Sequence, residues 1–298
     1  MQKPKPPPPP PPKKSIVSER CFAISVTLTL VLMCALGIPL AAILPPRTVE
    51  QLPINIIVPL YMSPDFSNWD PLYDAAIRYE NTNFTVIVNP ANGPGTPPEP
   101  GYVYVQAIQR LNQLPNVQAV GYIQTNRGNR TNETVYSDID VYGQWAKKHQ
   151  LGVHGIFFHH TPVEDSPHNR GYLKNITKAV RNTTGILAPQ TVIFNPGAIP
   201  NVNLTHAGAD VTIIYEGSYF TVPKQEELKT RLSNITGTRP NYGMLVLAMP
   251  TNIRRPDLRR LINDARRDIG YLYATDLYEG YYENWGGKWW DFVDLVPS

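Results

Sequence analysis

Cysteine is nearly absent from this 298-residue chain, and the two that occur, Cys21 and Cys34, lie close together near the N-terminus. Residues 35–298 therefore cannot form an internal disulfide. This excludes the small secreted domains that disulfides hold together. A domain built from these residues must be stabilised by its own hydrophobic core, and the segment is long enough to bury one.

Basic charge is scarce beyond the N-terminus. The net charge of +3 originates in residues 1–20, where five Lys and Arg residues face only Glu19, while the rest of the chain holds 22 basic and 23 acidic residues. A near-neutral chain without a basic cluster lacks the electrostatic footprint of nucleic-acid binding. We therefore predict no nucleic-acid partner.

Several signatures of cofactor and catalytic chemistry are missing as well. The loop after the first predicted strand reads YMSPDFSNW and has no glycine, unlike the phosphate loop of an open doubly wound sheet. The sequence contains no GxSxG elbow and no HExxH spacing. We predict no cofactor and no resident metal.

One long apolar run is present at residues 22–44, and it contains no charged side chain. At 1.5 Å per residue, 23 helical residues span roughly 34 Å, enough for a bilayer core of about 30 Å. A cleaved signal peptide would have a shorter apolar stretch, although Ala41-Ala42 resembles a cleavage site. The positive-inside rule places the N-terminus in the cytoplasm because basic residues precede the run, namely Lys13, Lys14 and Arg20.

This pattern predicts a type II membrane protein with four parts. They are a disordered Pro-rich basic tail at 1–20, a transmembrane signal anchor at 22–44, a linker at 45–53 and a folded ectodomain at 54–298. Seven Asn-x-Thr sequons follow the apolar run and predict passage through a glycosylating compartment. They begin at Asn83, Asn129, Asn132, Asn175, Asn182, Asn203 and Asn234. We expect the protein in the plasma membrane or a secretory-pathway membrane, with the ectodomain extracellular or lumenal.

The ectodomain alternates apolar, β-branched segments with helix-like segments. Near-continuous hydrophobicity is typical of parallel strands that are covered on both faces. Eight such strands over about 250 residues predict an α/β fold, a (β/α)8 TIM barrel, with an open doubly wound sheet as the second choice. The predicted strands are 54–61, 84–90, 117–125, 153–160, 191–196, 211–217, 243–250 and 270–276.

In such a barrel, the site forms at the carboxyl ends of the strands. These ends are rich in amides, acids and aromatic rings, which suit a sugar because hydroxyls need directional partners and the ring face stacks on apolar area. We predict polysaccharide binding by Tyr61, Asn89, Gln124, Asn195, Tyr215 and Asp276.

Four segments carry a resemblance to a known family. They are INIIVPLYMSP at 54–64, NPANGPG at 89–95, VGYIQTNRG at 120–128 and the GIFF segment with a following proline at 155–162. The chain resembles the spherulin-4-like family over about residues 54–280. That family includes fungal membrane-anchored glycoside hydrolases that act on galactosaminogalactan, an α-1,4-linked polymer of galactose and N-acetylgalactosamine. The resemblance implies a TIM barrel, a groove for an amino-sugar polysaccharide and, in active members, endo-hydrolysis.

The resemblance also implies three catalytic acids, of which this chain has one. Glu216 matches the acid at the end of the sixth strand, whereas His159-His160 stands where active members have an Asp-Glu pair. Glycosidases generally need two carboxyl groups. Four explanations stay open: a replacement acid from Glu164 or Asp165, a metal held by the histidines with His168 or those acids, altered chemistry using Glu216 and Asp276, or sugar binding without hydrolysis.

Overall fold

Eight parallel strands form a closed barrel in the computed structural model, which describes residues 52–95, 100–149 and 151–297. Each strand is short and mostly buried, as expected for segments rich in Val, Ile and Phe. The strands are β1 (Asn55–Leu60), β2 (Phe84–Val88), β3 (Val117–Gln124), β4 (Gly155–His159), β5 (Thr191–Asn195), β6 (Val211–Ser218), β7 (Tyr242–Leu247) and β8 (Tyr271–Ala274).

Sequential pairing closes the barrel. Every strand pairs in parallel with the next one in the chain, and β1 pairs with β8 through Asn55 opposite Tyr271. All eight carboxyl ends therefore meet on one face, which we call the mouth. The predicted (β/α)8 barrel is confirmed, and the open sheet is excluded.

Helices follow the strands on the outside of the barrel. Within the described residues they are α1 (Asp70–Arg78), α2 (Tyr102–Asn112), α3 (Asn132–His149), α4 (Pro167–Asn182), α5 (Val202–Thr205), α6 (Gln225–Leu232), α7 (Arg255–Asp268) and α8 (Trp289–Leu295). The start of α4 shows how the sequence sets them: the Ser166 hydroxyl accepts from the Asn169 N–H at 3.0 Å, and Pro167 opens the helix. At the start of α1, Trp69 holds the N-cap position, and Asp70 in the first turn pairs with Arg110 at 3.1 Å.

The core fills the barrel and the layer between strands and helices. One contact between the two layers depends on a glycine: the Tyr142 ring of α3 lies against Gly121 of β3, where a Cβ would come within 2.5 Å of the ring. The Tyr142 hydroxyl also donates to the Tyr122 carbonyl at 2.9 Å. This contact fixes the carboxyl half of β3, which leads into the mouth.

The predicted tail at 1–20, the predicted anchor at 22–44 and the linker up to residue 51 lie outside the described residues. Within the part of the chain that the structure describes, we find no helix that is both long and apolar enough to cross a membrane.

Two arginines tie the beginning of the barrel to its end. The Arg239 guanidinium donates to the carbonyls of Pro53 and Ile269, each at 2.8 Å. Arg266, which is buried, donates to the Val296 carbonyl at 2.9 Å and to the Leu52 carbonyl at 3.3 Å. These bonds satisfy backbone oxygens at the face opposite the mouth, where the chain enters the barrel.

We expect Arg239→Ala to lower the free energy of unfolding by about 2 kcal/mol, since it leaves carbonyls without a charged donor. Urea denaturation of residues 51–298, which form one compact unit, measures the change. The matched control is Arg254→Ala, whose side chain is 78% exposed and pairs only with Asp257, so that we expect at most a small loss. Equal stability of both variants would show that the Arg239 bonds to the Pro53 and Ile269 carbonyls do not stabilise the barrel.

Candidate functional site

Glu216 is the acid at the centre of the mouth, and residues of the neighbouring strand β5 and of one loop hold it. Asn195 at the end of β5 donates from Nδ2 to one Glu216 oxygen at 2.6 Å. The Tyr282 hydroxyl, from the loop after β8, donates to the other oxygen at 2.6 Å. Both carboxylate oxygens are therefore bonded to neutral donors, which favours a fixed orientation of the side chain.

Asn195 connects Glu216 to the end of β4. Its side chain is 1% exposed, and its Oδ1 accepts from the Gly197 N–H at 2.9 Å. Its Nδ2, besides bonding Glu216, lies 3.5 Å from Nδ1 of His159. The Gly197 carbonyl in turn accepts from the Glu216 N–H at 3.0 Å. The amide is thus oriented by backbone on one side and offers its hydrogens to the site on the other.

His159 is a neutral ring near pH 7. Burial lowers its pKa from 6.5 to about 4, an effect that the Glu216 carboxylate partly offsets and the neighbouring His160 reinforces. The Asn195 amide nitrogen faces Nδ1, an arrangement that suits the tautomer with its proton on Nε2. His159 is therefore a neutral hydrogen-bonding group near pH 7 rather than a proton source.

His160 follows β4 in a left-handed backbone conformation, with φ of 51°. Its ring lies against that of His159, with 3.8 Å between ring centroids. Its carbonyl accepts from the Arg127 N–H at 2.6 Å and from the Thr125 hydroxyl at 2.7 Å. The loop after β3 therefore holds the strained residue in place.

Such strain is concentrated at the mouth. Of the eight non-glycine residues with positive φ in the described chain, seven follow strand carboxyl ends and only Gln190 lies elsewhere. Strained backbone persists where the surrounding structure over-determines it, and it clusters at functional sites. The seven are Phe66, Ser67, Asn92, Asn126, Arg127, His160 and Ala248.

Tyrosine rings form a wall of the mouth beside the histidines, and the Tyr122 ring centroid lies 5.5 Å from that of His159. The Tyr61 ring meets the edges of Tyr122 and Tyr282, with centroids 5.2 and 5.1 Å away. Burial raises the pKa of all three hydroxyls, with the nearby Glu216 carboxylate adding to the effect. These hydroxyls are therefore un-ionised donors at physiological pH.

Tyr282 is a site residue that sequence reasoning missed. It lies in an irregular loop between β8 and α8, so neither strand periodicity nor strand-end position marks it. The available signal is the unusual density of aromatic residues in YEGYYENWGGKWW at 278–290. Six of these 13 residues are aromatic, so the signal indicates the loop but not which residue of it reaches the site.

The other residues proposed from sequence occupy different surroundings. Gln124 accepts from the Tyr122 hydroxyl at 2.8 Å and borders a cavity of about 380 Å³. Asn89 Oδ1 accepts from the Gly93 N–H at 2.9 Å and so shapes the loop after β2. Both lie at the mouth beside the Glu216 network.

Tyr215 and Asp276 are not brought into that network. The Tyr215 hydroxyl turns away from the mouth to the Ser218 carbonyl at 2.5 Å, after a register shift in β6 between Ile213 and Tyr215. Asp276 is buried and accepts from the Lys288 N–H at 3.1 Å, which closes the loop after β8. In the structure Tyr215 shapes an outer turn, and Asp276 holds a loop.

The candidate replacement acids are also occupied elsewhere or exposed. Both Asp165 oxygens accept from Arg170 at 2.6 Å, and one also accepts from Asn203 at 2.7 Å. Glu164 is exposed. His168 Nε2 lies 3.1 Å from the Gly128 carbonyl. Among the described residues, no group of three or more His, Cys, Asp or Glu side chains is placed to hold a metal ion.

Comparisons with known proteins identify the lineage of this barrel. The family model Spherulin4, described as spherulation-specific family 4, matches residues 55–296. The chain belongs to this family. The crystal structure of Aspergillus clavatus Sph3 in complex with GalNAc is 32% identical, with a TM-score of 0.78, over 83% of this chain and 98% of that one.

Two other solved structures are more distant. One is a dihydrodipicolinate synthase from Aquifex aeolicus, with 11% identity and a TM-score of 0.39 over 74% of this chain and 69% of that one. The other is a chitinase from Bacteroides thetaiotaomicron, with 9% identity and a TM-score of 0.49 over 82% and 95%. None of the curated proteins compared with this Spherulin4 chain matches it significantly.

We expect the His159 ring to stay neutral in the folded protein from pH 8 down to about pH 5, because its pKa is about 4. In the urea-unfolded chain it should titrate near ~6.5. The folded value is the lower one, so this ring's contribution to stability is present above about pH 6.5 and is lost as the pH falls toward 4. Histidine NMR titration of wild type and a His159→Gln assignment variant measures both states.

A second variant checks the cause of the shift. Glu216→Gln removes the carboxylate that raises the His159 pKa, so the pKa should fall further. An ordinary midpoint for His159 in the folded wild type would contradict the burial of the ring.

Proposed function

We propose that this Spherulin4 barrel binds an amino-sugar polysaccharide at its mouth, as a membrane-anchored cell-surface protein, and does not hydrolyse it. The observation that carries the binding proposal is the network of Glu216, Asn195 and His159 beside a tyrosine wall. The complex of Sph3 with GalNAc supports the choice of an amino sugar.

The mouth offers the two kinds of contact that a pyranose needs. Glu216 is an acceptor with lone pairs left after its two bonds, and His159 Nε2 and the Gln124 amide nitrogen are donors. The partly exposed rings of Tyr61 and Tyr282 supply flat apolar area. Directional polar groups beside aromatic rings match a sugar better than a purely apolar ligand.

Among the described residues, no second acid is bonded into the Glu216 network, and this argues against hydrolysis. A glycosidase of the usual kind needs one carboxyl group to protonate the leaving oxygen and a second to attack or to activate water. At the end of β4 this chain offers His159, which is neutral near pH 7 and therefore a poor acid there. A neutral imidazole also lacks the charge that would stabilise an oxocarbenium ion.

We expect residues 51–298 to bind a polymer of galactose and N-acetylgalactosamine and to release no reducing ends from it. Asn195→Ala should weaken binding about tenfold or more, because it removes a donor from Glu216 and frees the orientation of both site residues. Isothermal titration calorimetry and a reducing-end assay measure the two properties. Thr183→Ala, on the outer layer, serves as the matched control.

Hydrolysis is the alternative function. It is favoured by Glu216, which lies near the end of β6, where the family resemblance implies a catalytic acid. Wild-type release of reducing ends, abolished by Glu216→Gln, would overturn the non-hydrolytic proposal. The double variant His159→Asp and His160→Glu tests descent from an active member: we expect it to gain measurable release. If the wild-type protein neither binds nor cleaves the polymer, both the binding proposal and the hydrolytic alternative are overturned.

Membrane anchoring and glycosylation are part of the proposal. Six of the seven sequon asparagines are exposed in the structure, and Asn132 is partly buried. We expect treatment of intact cells with a peptide N-glycosidase to increase the electrophoretic mobility of the full chain. An epitope at residue 1 should become accessible to antibody only after permeabilisation. Surface labelling of that epitope in intact cells would contradict the type II orientation.

A further inference from the structure

A fully exposed phenyl ring stands on the rim of the mouth. Phe66, in the loop between β1 and α1, is 98% exposed. Its φ is 54° and that of Ser67 is 63°, so two consecutive residues other than glycine occupy the left-handed region. For a bulky aromatic residue this conformation is a genuine outlier. An apolar ring in water on strained backbone contributes nothing to folding, so its presence calls for another reason.

The loop that carries Phe66 is rigid. The Asn68 side chain donates to the Ser63 carbonyl at 3.0 Å, and the Ser63 hydroxyl donates to the Asp65 carboxylate. From outside the loop, Trp285 donates to the Asn68 carbonyl at 2.6 Å. The backbone that carries the ring is therefore held in place, which reduces the entropy lost when a ligand stacks on the ring.

A groove of about 350 Å³ lies beside this ring, between the loop and the start of α2. Its lining is mixed: it includes the exposed Phe66 ring, the carboxylates of Asp65 and Asp70, and the Gln106 amide, with the buried Tyr73 ring at its base. Arg110 lies over the Tyr73 ring at 3.8 Å and pairs with Asp70 at 3.1 Å. Polar acceptors and donors next to exposed aromatic area are the contacts of a sugar ring, not those of a dry protein interface.

The groove lies on the same face of the barrel as Glu216. Phe66 is five residues beyond Tyr61, whose ring forms part of the mouth wall. The loop after β8 spans both places, because Tyr282 bonds Glu216 and Trp285 bonds the Phe66 loop. The loop after β8 therefore links the mouth to the groove, which lies between the loop after β1 and the helices α1 and α2.

We propose that the groove between Phe66 and α2 is a second sugar subsite, which holds a unit of the same polysaccharide several residues from the unit in the mouth. Phe66 is its stacking platform, and Asp65, Asp70 and Gln106 are its hydroxyl partners. This inference rests on the proposed function and extends it: the protein recognises a chain rather than a single sugar. Affinity should therefore rise with the length of the oligosaccharide until both subsites are filled.

The test compares long and short ligands on variants of the groove. Phe66→Asn removes the ring but suits the left-handed backbone, since asparagine tolerates positive φ. We expect it to bind the galactose and N-acetylgalactosamine polymer about five- to tenfold more weakly and to bind free N-acetylgalactosamine as wild type does. Phe66→Trp keeps an aromatic ring at this position and should bind the polymer as tightly as wild type does. Calorimetry gives both affinities, and thermal unfolding should show that Phe66→Asn is no less stable than wild type.

Two controls separate the possible failures. Trp290→Ala removes another exposed aromatic ring, which lies near Arg78 on α1, and should leave both affinities unchanged. Asn195→Ala should weaken the binding of the single sugar and of the polymer by similar factors. If wild type binds the single sugar and Phe66→Asn binds the polymer with wild-type affinity, the proposed second subsite is wrong, while sugar binding at the mouth is supported. If wild type binds neither ligand, the proposed function itself fails.

The alternative occupant is a protein. If Phe66→Asn changes the oligomeric state of the full chain in light scattering and leaves polymer affinity unchanged, the face is an interface between copies, and the subsite proposal is overturned. A wild-type affinity that does not increase from the single sugar to the polymer would overturn it as well.

Discussion

The site depends on keeping the Glu216 carboxylate satisfied within a partly closed mouth. A carboxylate withdrawn from water costs free energy unless hydrogen-bond donors replace its hydration. Asn195 and Tyr282 provide those donors, one for each oxygen. Because these residues come from β5 and from the loop after β8, satisfying one charge fixes the relative positions of three parts of the barrel rim.

The loop after β8 carries this constraint outward. It is closed at its base by Asp276, which accepts from the Lys288 N–H, and by Gly286, where a Cβ would come within 2.2 Å of the Asp276 carboxylate. Its middle reaches the first strand, since the Tyr282 carbonyl accepts from the Tyr61 N–H at 2.9 Å. Asp276, which the sequence predicted as a sugar ligand, thus contributes to the site indirectly, because it holds the loop that carries Tyr282.

The strands and the central acid could be predicted because hydrophobic segments and strand ends are local features. Asn195, His159 and Glu216 end consecutive strands, and parallel pairing must bring such ends together. Tyr215 could not be placed, because the register shift in β6 decides which neighbour of Ile213 faces inward and no local pattern marks it. Tyr282 escaped since a loop position depends on tertiary bonds that the sequence does not display.

The charge balance of the mouth favours holding a sugar over cleaving it. Catalysis requires interactions that are stronger in the transition state than in the ground state, and for glycoside hydrolysis these are charges that meet a developing oxocarbenium ion. Around Glu216 the neighbours are an amide, an un-ionised phenol and a neutral imidazole, and their bonds to a sugar hydroxyl are equally good in both states. Burial keeps the imidazole neutral, so the ring at the end of β4, where the family resemblance implies an acid, is held in a form that is a poor proton donor near pH 7.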